Sequence, residues 1–128
     1  MMKKSDNIRL YTLILIGFVI FLASSCNDKD QTVPILTTAA ISNNTDSTAT
    51  CGGNITGGCS KVSKRGVCWS LRGAPSVGDN KTIDGSGQGS FISSLTGLIA
   101  DTTYYVRAYA TNCIGTGYGN VVTFTTVH

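Results

Sequence analysis

The sequence contains no glutamate, only one histidine and only two prolines among its 128 residues, and charged side chains make up 13% of it. Surface helices depend on charged helix-forming residues, of which glutamate is one of the commonest. Their scarcity disfavours helices and favours β-strands joined by turns, for which the 15 glycines are suited. The length corresponds to a single domain.

The chemistry of most enzymes and metal sites is also missing from the sequence. The single histidine, His128, is the last residue and lies beyond the last predicted strand. General acid–base catalysis would therefore depend on scattered aspartates, none of which forms a recognisable pair. The cysteines do not have the spacing of a zinc site. We expect no enzymatic activity, no metal and no cofactor.

A strong excess of basic residues is absent as well. The formal net charge is +3, but three of the ten basic side chains and one of the seven acidic ones precede residue 27. Residues 27–128 are therefore almost neutral. Proteins that bind nucleic acid carry a clear basic surface, so we expect no nucleic-acid partner.

The N-terminus has the order of elements that is typical of a targeting segment. Residues 1–9 are basic, and residues 10–23, "LYTLILIGFVIFLA", are almost wholly apolar. The apolar run is shorter than the roughly 20 residues of a membrane-spanning helix, and small residues follow it, as in a secretory signal peptide. An ordinary secreted protein with Cys26 in a disulfide, or an uncleaved membrane anchor, are the alternatives.

The stretch "LASSC", residues 22–26, resembles the lipoprotein box of bacteria of the Bacteroidetes type. The resemblance implies a signal peptide over residues 1–25, cleavage before Cys26 and attachment of lipid to that cysteine. Residues 26–33 would then be the lipidated cysteine and a short tether. Asp28 and Asp30 resemble the signal that sends such lipoproteins to the cell surface. The implied location is the outer membrane, facing the cell exterior.

Short alternating apolar segments, separated by glycine, asparagine, aspartate and serine, follow one another from residue 34 onward. This spacing predicts an antiparallel sandwich or barrel. The seven predicted strands are residues 34–42, 47–56, 62–70, 81–85, 89–98, 101–112 and 118–126. Trp69 is the only tryptophan, and we expect it in the core between the sheets.

Five phrases carry a resemblance to a known fold. The stretch "LIADTTYYVRAYA" resembles the tyrosine corner of fibronectin type III domains, with Tyr104 as the corner residue. The phrases "RGVCWS", "DGSGQGSFISSLTGL", "TTYYVRAYATN" and "GTGYGNVVTFTT" together resemble a fibronectin-like repeat of Bacteroidetes surface proteins. The resemblance implies an all-β, seven-stranded, immunoglobulin-like sandwich over residues 34–128, with Trp69 and Tyr104 in its core.

The sixth predicted strand has a second face. If Tyr104 and Val106 point into the core, then Tyr105, Arg107 and Tyr109 point outward. In the implied topology this strand lies in the middle of its sheet. The strip has the chemistry to stack on sugar rings or to contact a protein. Alternatively, these side chains stabilise the sheet through cross-strand contacts and bind no ligand.

Four cysteines remain in the domain after Cys26: Cys51, Cys59, Cys68 and Cys113. The implied topology places the loops that contain Cys59 and Cys113 at the same end, which implies a Cys59–Cys113 disulfide. With Trp69 pointing inward, Cys68 points outward and does not reach Cys51. Four separate thiols are the alternative.

These observations favour a lipid-anchored, non-catalytic cell-surface protein that acts in adhesion or ligand binding. Its partners would be the membrane, through the lipid, and a glycan or protein ligand. The alternative is a structural or assembly component of an outer-membrane surface complex, without a ligand of its own. A fold by itself does not decide between them.

Overall fold

The computed structural model describes residues 32–58 and 61–128. The predicted signal peptide and Cys26 lie outside the described residues. Within the described part, no helix has the length and hydropathy needed to cross a membrane.

Two antiparallel sheets form the domain. The strands are β1 (Ile35–Thr38), β2 (Ala49–Gly57), β3 (Lys64–Ser70), β4 (Asn80–Lys81), β5 (Gly89–Leu95), β6 (Thr103–Thr111), β7 (Thr116–Tyr118) and β8 (Val122–Thr125). One sheet has the order β1-β2-β5, and the other has the order β4-β3-β6-β7, with β8 also paired to β6. The predicted all-β sandwich is confirmed, with β6 in the middle of its sheet. The described residues form eight strands instead of seven.

The additional strand arises because the predicted strand 118–126 is divided by a β-bulge. Tyr118 pairs with Tyr109, whereas Val122 pairs with Val106, so this segment contains one more residue than the part of β6 that it faces. The extra residue turns the chain toward β1. There, the backbone N–H of Thr38 donates to Asn120 Oδ1 at 2.9 Å. The bulge therefore links one edge of each sheet.

The core lies between the two sheets and follows the expected alternation. In β2 the buried residues include Ala49, Cys51 and Ile55, and in β6 they include Val106 and Ala108. Trp69 belongs to the same buried cluster. The predicted inward faces of these strands agree with the structure.

Tyr104 fixes the connection between β5 and β6. Its ring stacks on that of Phe124 with 5.9 Å between centroids. Its hydroxyl accepts a hydrogen bond from the backbone N–H of Ile99 at 2.9 Å. Thr126 Oγ1 donates to the carbonyl of Ile99 at 2.6 Å. The loop before β6 is thus bonded to the start of β6 and to the C-terminal residues.

The sandwich has two distinct ends. At what we call the N-terminal end, the β2–β3 connection meets the glycine-rich β4–β5 connection, because Gly87 N–H donates to the carbonyl of Val62 at 2.9 Å. Thr32 and the β6–β7 turn lie at this same end, where Asn112 Nδ2 donates to the carbonyl of Thr32. The β1–β2, β3–β4 and β5–β6 connections and the last residues lie at the opposite, C-terminal end.

Candidate ligand-binding site

The outer face of β6 is covered by part of the chain itself. The segment 71–83, which connects β3 to β4 and extends beyond it, folds over this face. Pro75 of this segment is fully buried. Arg107 Nε donates to the carbonyl of Pro75, and the Tyr109 hydroxyl donates to the carbonyl of Thr82 at 2.6 Å. We call residues 71–83 the covering segment.

Tyr109 is therefore not part of an exposed binding face. It does point away from the core cluster, as the alternation requires, but it is only 2% exposed. Burial raises the pKa of its hydroxyl, and the nearby carboxylate of Asp84 raises it further. The sequence did not predict this burial, because alternation predicts the direction of a side chain and not what covers it; ligand contact by Tyr109 stays a prediction.

Arg107 also acts inside the protein. Its guanidinium lies 3.8 Å from the centroid of the Tyr118 ring, which is cation–π geometry. The Tyr118 hydroxyl in turn accepts a hydrogen bond from the backbone N–H of Val77 at 3.1 Å. Arg107 and Tyr118 thus hold the covering segment against the sheet. Of the predicted strip, Tyr105 is half-buried and makes no hydrogen bond through its hydroxyl within the described residues.

An open cleft lies at the C-terminal end, where β3 turns toward β4. Its volume is about 680 Å³. We call it the β3–β4 cleft, and it is lined by Trp69, Ser70, Leu71, Arg72, Gly78, Asp79 and Asn80. Tyr105 of β6 lies directly opposite Ser70 in the sheet. The cleft therefore lies next to Tyr105, the residue of the predicted strip whose hydroxyl has no hydrogen bond within the described residues.

Local hydrogen bonds fix the walls of this cleft. Ser70 Oγ donates to the carbonyl of Arg72 at 2.6 Å, which closes the turn after β3. The Asp79 carboxylate accepts from the backbone N–H of Ser76 at 2.8 Å, which closes the turn before β4. These contacts set the shape of the cleft before any ligand binds.

Two polar side chains of the cleft have no protein partner. Neither the Arg72 guanidinium nor the Asn80 amide forms a hydrogen bond or ion pair within the described part of the chain. Leu71 beside them is largely exposed. Together they offer a cation, an amide that both donates and accepts, and an aliphatic surface, which suits a polar ligand with apolar faces. Sequence reasoning missed the cleft because residues 71–79 have no strand pattern. The length of that irregular stretch was the available signal.

The described cysteines differ in their state. Cys51 and Cys68 are free and buried, whereas Cys113 is disulfide-bonded. Cys26 and Cys59 lie outside the described residues, so the Cys59–Cys113 pairing stays a prediction. Cys68 lies on the covered outer face of β3, where its thiol donates to the carbonyl of Arg107 at 3.5 Å.

The buried thiol of Cys68 makes the stability depend on alkaline pH. Burial raises its pKa from 9.0 to about 11, with Asp79 adding to the rise and Arg107 opposing it. Folding therefore favours the protonated thiol. This contribution is fully present below pH 9 and is lost as the pH rises through 11.

We expect the free energy of unfolding to fall more steeply between pH 9 and pH 11 in the unmodified protein than in Cys68→Ala. Urea denaturation at a series of pH values measures the free energy of unfolding of both proteins. Lysines and tyrosines titrate in both, so their contribution cancels in the difference. Parallel curves for the two proteins would contradict the assignment.

No group of three or more metal-ligating side chains occurs among the described residues. His128 Nδ1 lies 3.9 Å from Asp101 Oδ2 at the C-terminal end, and both side chains are solvent-exposed.

The fold is similar to that of solved fibronectin type III domains. The fibronectin type III domain of human fibronectin type III domain containing protein 3 has 16% sequence identity and a TM-score of 0.50, over 80% of this chain and 92% of that chain. The sensor domain of the anti-sigma factor RsgI4 of Pseudobacteroides cellulosolvens has 12% identity and a TM-score of 0.52, over 75% of this chain and 96% of that chain. At these identities the likeness shows the fold alone.

No family model and no curated protein sequence matches the chain. The structural similarity alone therefore shows that the chain has the fold of a fibronectin type III domain.

Proposed function

We propose that this chain is a lipid-anchored, non-catalytic binding module on the outer face of a bacterial outer membrane, and that its ligand occupies the β3–β4 cleft. The observation that carries this proposal is the position of the cleft. It lies at the C-terminal end, whereas the chain enters the sandwich at the N-terminal end, beside Asn112. A domain anchored at Cys26 would present the cleft away from the membrane.

The chemistry of the cleft supports a glycan or a protein ligand. The unpaired Arg72 guanidinium and Asn80 amide have the donors and acceptor to bind hydroxyl, carboxylate or peptide groups. Tyr105 at its border adds an aromatic surface with a hydroxyl. Adhesion or capture of such a ligand at the cell surface is the role that this arrangement serves.

Binding of the full chain, displayed on vesicles, to arrays of glycans and matrix proteins tests the proposal. We expect Arg72→Ala/Asn80→Ala to weaken binding by about 10- to 100-fold, because two hydrogen bonds, one of them charged, are lost. Ser94→Ala is the control, since Ser94 is exposed on the other sheet, in β5, and does not line the cleft. Binding that is equal in all three proteins would contradict the proposed site.

The second candidate is a structural or assembly component of a surface complex. It is favoured by the internal contacts of Arg107 and Tyr109, which stabilise the sheet without a ligand. A folded full chain that binds nothing on the arrays, but that co-purifies in fixed ratio with one membrane complex, would favour this role.

A further inference from the structure

We infer that the chain has a second interaction surface, at the N-terminal end of the sandwich, that docks onto the anionic surface of a lipid membrane. This inference rests on the membrane attachment proposed above and adds to it a specific orientation of the domain. Three observations carry it: the path of the N-terminal segment, the exposed aliphatic side chains at this end, and the distribution of charge.

The N-terminal segment is fixed to the β6–β7 turn. Asn112 Nδ2 donates to the carbonyl of Thr32 at 2.9 Å. The carbonyl of Pro34 lies so close to Gly117 that a β-carbon there would be 1.9 Å away, so only glycine fits. The six residue steps from Cys26 to Thr32 span at most about 20 Å. Lipid attached at Cys26 would therefore keep the N-terminal end near the bilayer.

Three aliphatic side chains project from this end into solvent. Val33 is 38% exposed, Ile35 59% and Ile114 41%. Val33 lies near Gly115, the residue after Ile114, since a β-carbon built on Gly115 would be 3.2 Å from Val33 Cγ1. Aliphatic side chains in such a position gain free energy when they enter the boundary between lipid headgroups and acyl chains.

The charge distribution also favours docking at the N-terminal end. Lys61 and Lys64 are exposed at the N-terminal end. Arg65 beside them bonds to carbonyls of the glycine-rich β4–β5 connection. Asp84, the one aspartate at this end among the described residues, accepts a hydrogen bond from Thr82 Oγ1.

The opposite end is acidic. The other three described aspartates, Asp46, Asp79 and Asp101, lie at the C-terminal end, with Arg72 as the basic residue of the cleft. Among the described residues, the N-terminal end is therefore the more positive end of the domain. Lysines at a membrane surface are attracted by anionic headgroups, and aliphatic groups add to this attraction. Both features occur together where the chain leads toward its proposed anchor.

A pair of matched tryptophan variants tests the orientation. Ile114→Trp places a reporter at the N-terminal end, and Ile99→Trp places one at the C-terminal end, where Ile99 is also exposed. Trp69, the only native tryptophan, lies buried next to the C-terminal end and serves as an internal control. The full chain is reconstituted in vesicles of phosphatidylcholine and phosphatidylglycerol that contain a headgroup-labelled quencher lipid.

We expect quenching of the Ile114→Trp reporter and none of Ile99→Trp or Trp69. We expect Lys61→Gln, added to Ile114→Trp, to lower the ratio of docked to undocked protein by about fivefold, and Lys64→Gln to lower it by about fivefold again. Replacement of phosphatidylglycerol by phosphatidylcholine should lower the same ratio. A reporter quenched equally with and without these lysines would overturn the electrostatic part of the inference.

Flotation of the vesicles separates this inference from the proposed anchor. A chain that floats with the vesicles while Ile114→Trp stays unquenched would overturn docking and leave anchoring intact. Quenching of Ile99→Trp would overturn docking by showing the opposite orientation. A chain that does not float would overturn the anchor and docking together.

Discussion

Replacement of Thr82 by valine is expected to lower the free energy of unfolding by about 2–4 kcal/mol. Thr82 Oγ1 donates to Asp84 Oδ2 at 2.7 Å and accepts from the backbone N–H of Val67 at 3.0 Å. Ser93 Oγ lies 2.6 Å away. Because the single proton of Thr82 is used toward Asp84, Ser93 must donate, and both lone pairs of Thr82 are filled.

The position of this hydroxyl explains the large expected effect. Ser93 is a buried residue of β5, in one sheet, whereas Val67 belongs to β3, in the other. Thr82 therefore bridges the two sheets at their open edge. Valine has nearly the same shape but no hydroxyl, so it leaves the Val67 N–H and the Ser93 hydroxyl buried without this partner.

Urea denaturation measures the effect, and Thr123→Val is the control at an exposed strand position, with an expected change within about 0.5 kcal/mol. The double variant Thr82→Val/Ser93→Ala should recover part of the loss, because it removes one of the two unpaired groups. Equal stabilities for Thr82→Val and Thr123→Val would contradict the bridging role.

Replacement of Arg107 by alanine is expected to release the covering segment. It removes the hydrogen bond to the carbonyl of Pro75 and the contact with the Tyr118 ring. The loss in stability should be about 2–3 kcal/mol. Local opening would expose the thiol of Cys68, so its alkylation at neutral pH should become at least about tenfold faster.

Peptide mapping by mass spectrometry measures the alkylation of Cys68 separately from that of the other cysteines. Arg72→Ala is the matched control, because Arg72 is an arginine without a protein partner in the described residues. We expect Cys68 in this control to react as slowly as in the unmodified protein. Equal rates in Arg107→Ala and Arg72→Ala would show that Arg107 does not hold the segment.

The elements that depend on local pattern could be predicted from the sequence. Alternation in β2 and β6 indicates their inward faces, and both faces agree with the structure. Trp69 and Val67 pack in the core for the same reason. These features depend only on the period of a strand and on the burial of apolar side chains.

The features that were missed depend on contacts between distant residues. The bulge after Tyr118 comes with a hydrogen bond between Asn120 and Thr38, which is 82 residues away in the chain. Tyr109 is buried because the covering segment bonds to it through Thr82. No local pattern in residues 71–83 predicts that they lie over β6, so neither the burial of Tyr109 nor the β3–β4 cleft could be derived from spacing.

The measurement that tests the proposed function most directly is the intact mass of the N-terminal peptide of the protein extracted from its native membrane fraction. The predicted result is a peptide that begins at Cys26 and carries the added mass of acyl chains. An unmodified N-terminus, or one at any other residue, would contradict lipid anchoring at Cys26. It would also remove the reason for the cleft to face away from the membrane.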